Sequence, residues 1–326
     1  MSASPADALR RTTDRARGLV ARGLSRSAAA VDLLEMAGAH TLADRLDRRR
    51  AGGEVVALRL PADVHDVRSH RVKALRRAGT DQCVEAFHQG GWWGYERPLP
   101  DVFLATLRGA PGVVLDVGAN TGVYSLIAST VRGASVHAFE AFPPVAALLR
   151  ENLALNRTSA RVTVVDRAVS DSEGSIELFV PPDSGLVETS SSIDAGFKEG
   201  STPITVPTVT LDAYWTSLGR PPVTLVKIDV EGAEHRVLAG AHELVGRARP
   251  VLFLEVLPGA HFEDLEVFLG RHGLVDVRLS QWEAVVGDAV IHHGLAWNHA
   301  FVPAERLEEF LAPLPRLGLK VTRLDG

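Results

Sequence analysis

Residues 112–140 read GVVLDVGANTGVYSLIASTVRGASVHAFE, and this stretch decides the fold. It opens with a short apolar run, Val113 to Val117, suited to a strand buried on both faces in a parallel sheet covered by helices. Asp116 stands at the end of that run. Gly118-Ala119-Asn120-Thr121-Gly122 follows, where small residues let the backbone turn tightly and approach a ligand, and Asn takes the left-handed conformation that Gly takes elsewhere. A helix is expected from about Thr121 to Arg132, then a second strand from Ser135 to Phe139 that ends on Glu140. An acid there, about 20 residues past the glycines, is placed to accept hydrogen bonds from both hydroxyls of a ribose. The unit reads as an adenosine-binding βαβ half.

Dinucleotides and S-adenosylmethionine (SAM) both use this geometry. A dinucleotide site needs G-x-G-x-x-G to bring amides onto a pyrophosphate, whereas here Gly118 and Gly122 flank Asn120 and a carboxylate, Asp116, precedes the turn. That carboxylate repels a pyrophosphate and suits the ammonium and sulfonium charges of SAM. A tight turn without a ligand has the same local sequence.

Toward the carboxyl terminus, AFPPVAALLRENLALN is a helix opened by proline, and Arg161 to Val165 a third strand. The loop after it passes the adenine edge in an adenosine site, which makes Asp166, Arg167 and Ala168 candidates for reading the amino group. Gly174 to Val180 and Thr205 to Val209 read as a hairpin-like insertion. Val223 to Ile228 is a central strand interrupted only by Lys227; it ends on Asp229, before Glu231, Gly232 and Glu234 open a helix. Ligands of open α/β sheets lie outside the carboxyl ends of the strands, so Asp229 faces the reaction site. Glu231 and Glu234 equally suit compensation of a helix dipole. Val251 to Glu255 is a fifth strand, and its terminal acid beside Asp229 makes an acid/base or metal pair.

Toward the amino terminus, FHQGGWWGYERPLPDVFLATL (87–107) is aromatic and Gly-rich; Tyr95, Glu96 and Arg97 are its positions expected to touch ligand. Asp63 to Arg77 is expected as a helix whose Arg68, Arg71, Lys73, Arg76 and Arg77 form a solvated face. Residues 1 to about 60 are rich in Ala and Arg with apolar positions at helical spacing. The expected organisation is a helical extension over residues 1–85, with homo-oligomer contacts through its helices as one use for it, and a catalytic domain over 86–326.

With 326 residues, 46% of them hydrophobic, the chain can bury a full core. A net charge of -5 provides no general basic field for nucleic acid. The single cysteine, Cys83, excludes an internal disulfide and a multi-cysteine zinc site. Neither a signal-peptide core nor a membrane-length apolar run is visible, so a soluble, cytoplasmic protein without membrane contact is expected.

VLDVGANTGVYSL, HAFEAFP, AVSDSEGSIEL, VTLDAY, LVKIDVEGAEHRVLAGA and VLFLEV, in that order, resemble the FkbM family of SAM-dependent methyltransferases, roughly from Leu99 to Leu279. The resemblance implies an α/β, class I Rossmann-like methyltransferase fold, with a mostly parallel sheet flanked by helices, and O-methylation of sugars or secondary metabolites. By motif position it implies that Asp116, Gly118, Asn120 and Gly122 hold the methionine part of SAM and Glu140 the ribose, with Asp229 beside the reaction centre. One departure is FEAFPP, since the family more often has Pro directly after the acid. An alcohol acceptor needs a general base, for which Asp229, Glu255 and His261 are the candidates. A divalent ion held by Asp229, Glu255 and a histidine is the less favoured arrangement. Asp229-Val230-Glu231-Gly232 also differs from the Asn/Asp-Pro-Pro-aromatic motif of many amine methyltransferases, which favours a small hydroxylated acceptor over nucleic acid. The alternatives are an NAD(P)-dependent oxidoreductase and a catalytically silent adenosine-binding scaffold.

Overall fold

A computed structural model of the chain describes residues 55–61, 71–182, 187, 199–287 and 289–324. The first strands, β1 (Val55–Arg59) and β2 (Arg71–Leu75), pair antiparallel. Helices α1 (Gln82–Gly90) and α2 (Leu99–Gly109) then lead into β3 (Val113–Val117), α3 (Val123–Thr130), β4 (Ser135–Phe139), α4 (Pro143–Asn156) and β5 (Val162–Val165). A small sheet of β6 (Ala168–Val169), β7 (Gly174–Val180) and β8 (Thr202–Val209) follows, with β7 and β8 antiparallel as the sequence implies. After α5 (Leu211–Ser217) come β9 (Val223–Ile228), α6 (Glu234–Ala239), α7 (His242–Ala248), β10 (Val251–Glu255) and α8 (Phe262–His272). The chain closes with β11 (Leu274–Leu279), β12 (Glu283–Gly287), β13 (Asn298–Pro303), α9 (Leu307–Leu311) and β14 (Lys320–Arg323).

The main sheet has the order β14-β12-β11-β13-β10-β9-β3-β4-β5. Strands β5, β4, β3, β9 and β10 are all parallel, and β13 is inserted antiparallel between β10 and β11. Both faces are covered, as the unbroken apolar runs predict. Val114 and Leu225 join the apolar layer that contains Ile127 and Leu149, while Leu115, Val117, Val226 and Ile228 join the layer around Trp215 and Val237. Alternation with period two thus sends each strand's side chains into two cores.

The helical extension expected over residues 1–85 needs correction where the structure describes it: 55–59 and 71–75 are strands. Val72 and Ala74 face the core together with Val56 and Leu58, a period of two rather than 3.6. Arg71 and Lys73 are buried and not on a solvated face. The helices expected before residue 55 lie outside the described residues.

Candidate functional site

All five parallel strands present their carboxyl ends at one edge, so the loops after β3, β4, β9 and β10 meet there. Gly118 has φ 75°, and a Cβ on it would collide with the Asp229 carbonyl. The β3 and β9 loops are therefore in backbone contact, secured by the Asp229 amide donating to the Val117 carbonyl at 3.0 Å. Asn120 takes the left-handed conformation expected of it, φ 52°. Its amide donates to Glu140 Oε2 at 2.9 Å, and the Phe142 amide donates to Oε1 at 2.8 Å. Burial pushes the Glu140 carboxyl up to about 7. Each of its oxygens keeps a second lone pair for a ligand hydroxyl.

Gly118, Asn120, Glu140, Ala168 and Asp229 line one cavity, with Arg167 and Glu231 also on its wall. Asp166 does not line it; its carboxylate pairs at the surface with Arg150 at 2.7 Å. Asp116 and Gly122 line the adjoining smaller cavity with Tyr95 and Lys227. Asp116 is buried, and burial holds its carboxyl above the usual range. Its Oδ2 accepts from Ser125 Oγ at 2.6 Å, whereas Oδ1 has no hydrogen-bond partner. A buried acceptor left open on a cavity wall is completed by a donor or cation from a ligand. The orphaned oxygen, the Glu140 carboxylate and the turn that admits no side chain at Gly118 together fit SAM.

Asp229 and Glu255 are brought together as expected, since β9 and β10 are parallel neighbours with Ile228 opposite Leu254. Glu96 completes the group: carboxylate oxygens of Glu96, Asp229 and Glu255 all lie within 4.8 Å of one another. Glu96 Oε2 accepts from the Tyr124 hydroxyl at 2.6 Å. Asp229 Oδ2 accepts from Lys227 Nζ at 2.7 Å, and that ammonium lies 4.6 Å from the Tyr124 ring centre. Burial, reinforced by Asp229 and Glu96, pushes Glu255 up to about 9, and burial also raises Glu96. Against burial, Asp229, Glu96 and Asp116 hold Lys227 above the usual lysine range. Three carboxyls and one ammonium in so small a volume make this a candidate proton-transfer site.

His261 is not in this group. It precedes α8 at the surface, stacks on His235 with ring centres 3.7 Å apart, and has Nδ1 3.3 Å from Asp264. The third side chain beside Asp229 and Glu255 is Glu96, not the histidine expected there. Glu234 is buried and braces the turn after β9, its Oε1 accepting from the amides of Val230 at 3.3 Å and Gly232 at 3.2 Å. Sequence analysis assigns no role to Lys227 or Tyr124. A lysine inside an otherwise apolar buried strand, two residues from the acid that ends it, was the available signal, because period two puts both on one face.

A family model described as the methyltransferase FkbM domain matches residues 116–275. The 31-O-demethyl-FK506 methyltransferase FkbM of Streptomyces tacrolimicus is 33% identical over 160 residues, covering 41% of this chain and 61% of that protein. The 2-O-methyltransferase NoeI of Sinorhizobium fredii is 30% identical over 171 residues, covering 49% of this chain and 66% of that protein. The match thus spans less than two thirds of either relative's length. A solved methyltransferase FkbM from Methylobacillus flagellatus KT aligns with a TM-score of 0.37 and 16% identity, over 58% of this chain and 43% of that one. Over residues 116–275 this chain is thus similar to FkbM methyltransferase domains.

Proposed function

We propose that the chain is a SAM-dependent O-methyltransferase acting on a hydroxyl of a small molecule, a sugar or secondary metabolite. The observation that carries this reading is the meeting of Asp229, Glu255 and Glu96 at the strand ends, beside the cavities lined by Gly118, Asn120, Glu140 and Asp116. The names of the two relatives, a 31-O-demethyl-FK506 methyltransferase and a 2-O-methyltransferase, support it. When bound, SAM supplies a methyl group on a positively charged sulfur. Asp116, Gly118, Asn120 and Gly122 would hold its methionine end, Glu140 its ribose and Ala168 its adenine edge. Asp229 would take the proton of the acceptor hydroxyl as the methyl carbon passes from sulfur to that oxygen, the broken bond's electron pair staying on the sulfur. Lys227 fixes the orientation of the Asp229 carboxylate, a positioning role of the kind that accounts for a large share of such accelerations. Glu255, whose carboxyl burial pushes up to about 9, favours its protonated form, which leaves Asp229 the base.

Calorimetry is expected to show SAM and S-adenosylhomocysteine binding in the full chain and its loss in Glu140→Ala. Binding of NADH without SAM would overturn the reading. Labelled SAM added to extracts with and without the gene should yield one new labelled small molecule; label in RNA, DNA or bulk protein would refute the acceptor class.

A further inference from the structure

Trp93, Arg97 and Trp282 come from two separate segments, the one that carries Glu96 and the turn between β11 and β12. The Arg97 guanidinium carbon lies 4.6 Å from the centre of the Trp93 ring and 4.2 Å from that of Trp282. Both indoles remain open to solvent, 59% and 58% exposed. Three more exposed apolar side chains, Ile291, Leu295 and Trp297, lie in the segment that enters β13. That segment is fastened next to Glu255, since the Val256 amide donates to the Trp297 carbonyl at 2.7 Å. Leu279 is opposite Asn298, and Asn298 opposite Glu255, so the β11–β12 turn opens at the same edge as the carboxylates. Apolar surface gathered around one opening marks a contact site.

The stack has a specific chemical consequence. A guanidinium that lies over indole rings keeps its N–H edge for a partner in its own plane, where two parallel bonds to an oxyanion can form. Among the described residues no carboxylate pairs with Arg97. We propose that Trp93, Arg97 and Trp282 form a clamp for an oxyanion group of the acceptor, a carboxylate, phosphate or sulfate, while the acceptor hydroxyl reaches Asp229. This rests on the methyltransferase reading for the identity of the ligand as acceptor, and it narrows the acceptor to acidic hydroxylated molecules. A stack that only tied two segments together would bind no anion.

The test is tryptophan fluorescence of the full chain titrated with inorganic phosphate and with sulfate, against chloride at equal ionic strength. The expected result is saturable binding with a dissociation constant on the order of 1 mM. Arg97→Gln should weaken it at least about 10-fold, and Arg97→Lys, which keeps the charge without the planar fork, should also weaken it. Circular dichroism and S-adenosylhomocysteine affinity should be unchanged in both. Glu140→Ala should lose SAM and keep the phosphate response. No saturable response in the wild type, or an undiminished one in Arg97→Gln or Arg97→Lys, overturns the clamp. Phosphate binding by a wild-type chain that fails to bind SAM would instead overturn the methyltransferase reading.

Discussion

Asp229 carries two separable duties, one through its carboxylate and one through its backbone. If the carboxylate is the base, Asp229→Asn should lower turnover by roughly 100-fold or more, with SAM affinity little changed and no effect of EDTA on the wild type. A near-wild-type rate would refute the role, and EDTA inhibition reversed by magnesium would make Asp229 a metal ligand instead. The backbone duty predicts a contrast between two glycines. Gly118→Ala drives a Cβ into the Asp229 carbonyl and should abolish SAM binding and lower the melting temperature, whereas Gly232→Ala meets open space and should cost only about 1–2 kcal/mol of left-handed strain. Equal losses in thermal melts of the two would contradict the close approach of the loops. Asp116, Asn120, Glu140 and Asp229 were legible in the sequence because each ends a buried strand or sits in the turn after it. Glu96 was visible only as a ligand-contacting position, since its meeting with Asp229 and Glu255 joins segments more than a hundred residues apart.

The turn after β9 is the element whose energetics depend most plainly on pH. Burial, against the hydrogen bonds from Gly232 and Val230, pushes Glu234 from an ordinary 4.5 to about 7. The folded state therefore favours the neutral carboxyl. Its stabilisation is complete below pH 4.5 and is lost as pH rises to about 7. Glu234→Gln keeps an oxygen for both amides and cannot ionise, so urea denaturation should show it gaining on the wild type by on the order of 1–3 kcal/mol between about pH 5 and pH 8. Parallel behaviour of the two proteins across that range would refute the assignment. This turn and strands β3, β4, β9 and β10 were readable because apolar runs closed by an acid are local patterns. Strand β2 was not. Its two basic residues suggested a solvated helix, but α4 covers its edge: Asn156 Oδ1 accepts from the Lys73 amide at 2.7 Å, and Asn152 Oδ1 from the Leu75 amide at 3.0 Å. Those partners lie some eighty residues away, where no local period reveals them.

At the scale of the molecule the question is where the catalytic unit begins. A start at residue 86 would cut α1, which runs from Gln82 to Gly90, and would remove Val56, Leu58, Val72 and Ala74 from the core layer they share with Leu149 and Leu153. It would also strand Asn152, which is buried and links the β2 edge to the turn after β3 by donating to the Thr121 carbonyl at 2.8 Å. Each buried polar group left without its partner costs about 1–3 kcal/mol, and the exposed apolar layer adds to that loss. A chain beginning at Ala86 is therefore expected to melt at lower temperature and to bind SAM more weakly than the full chain, with Asn152→Leu showing a smaller loss in the same direction. The point variant separates the two causes, because it leaves the apolar layer in place and breaks only the links of Asn152 to Thr121 and to the Leu75 amide. Calorimetry and thermal melts of the three proteins decide the matter: a shortened chain with the full chain's melting temperature and SAM affinity would make the β1–β2 pair an appendage and put the start of the unit at residue 86 after all.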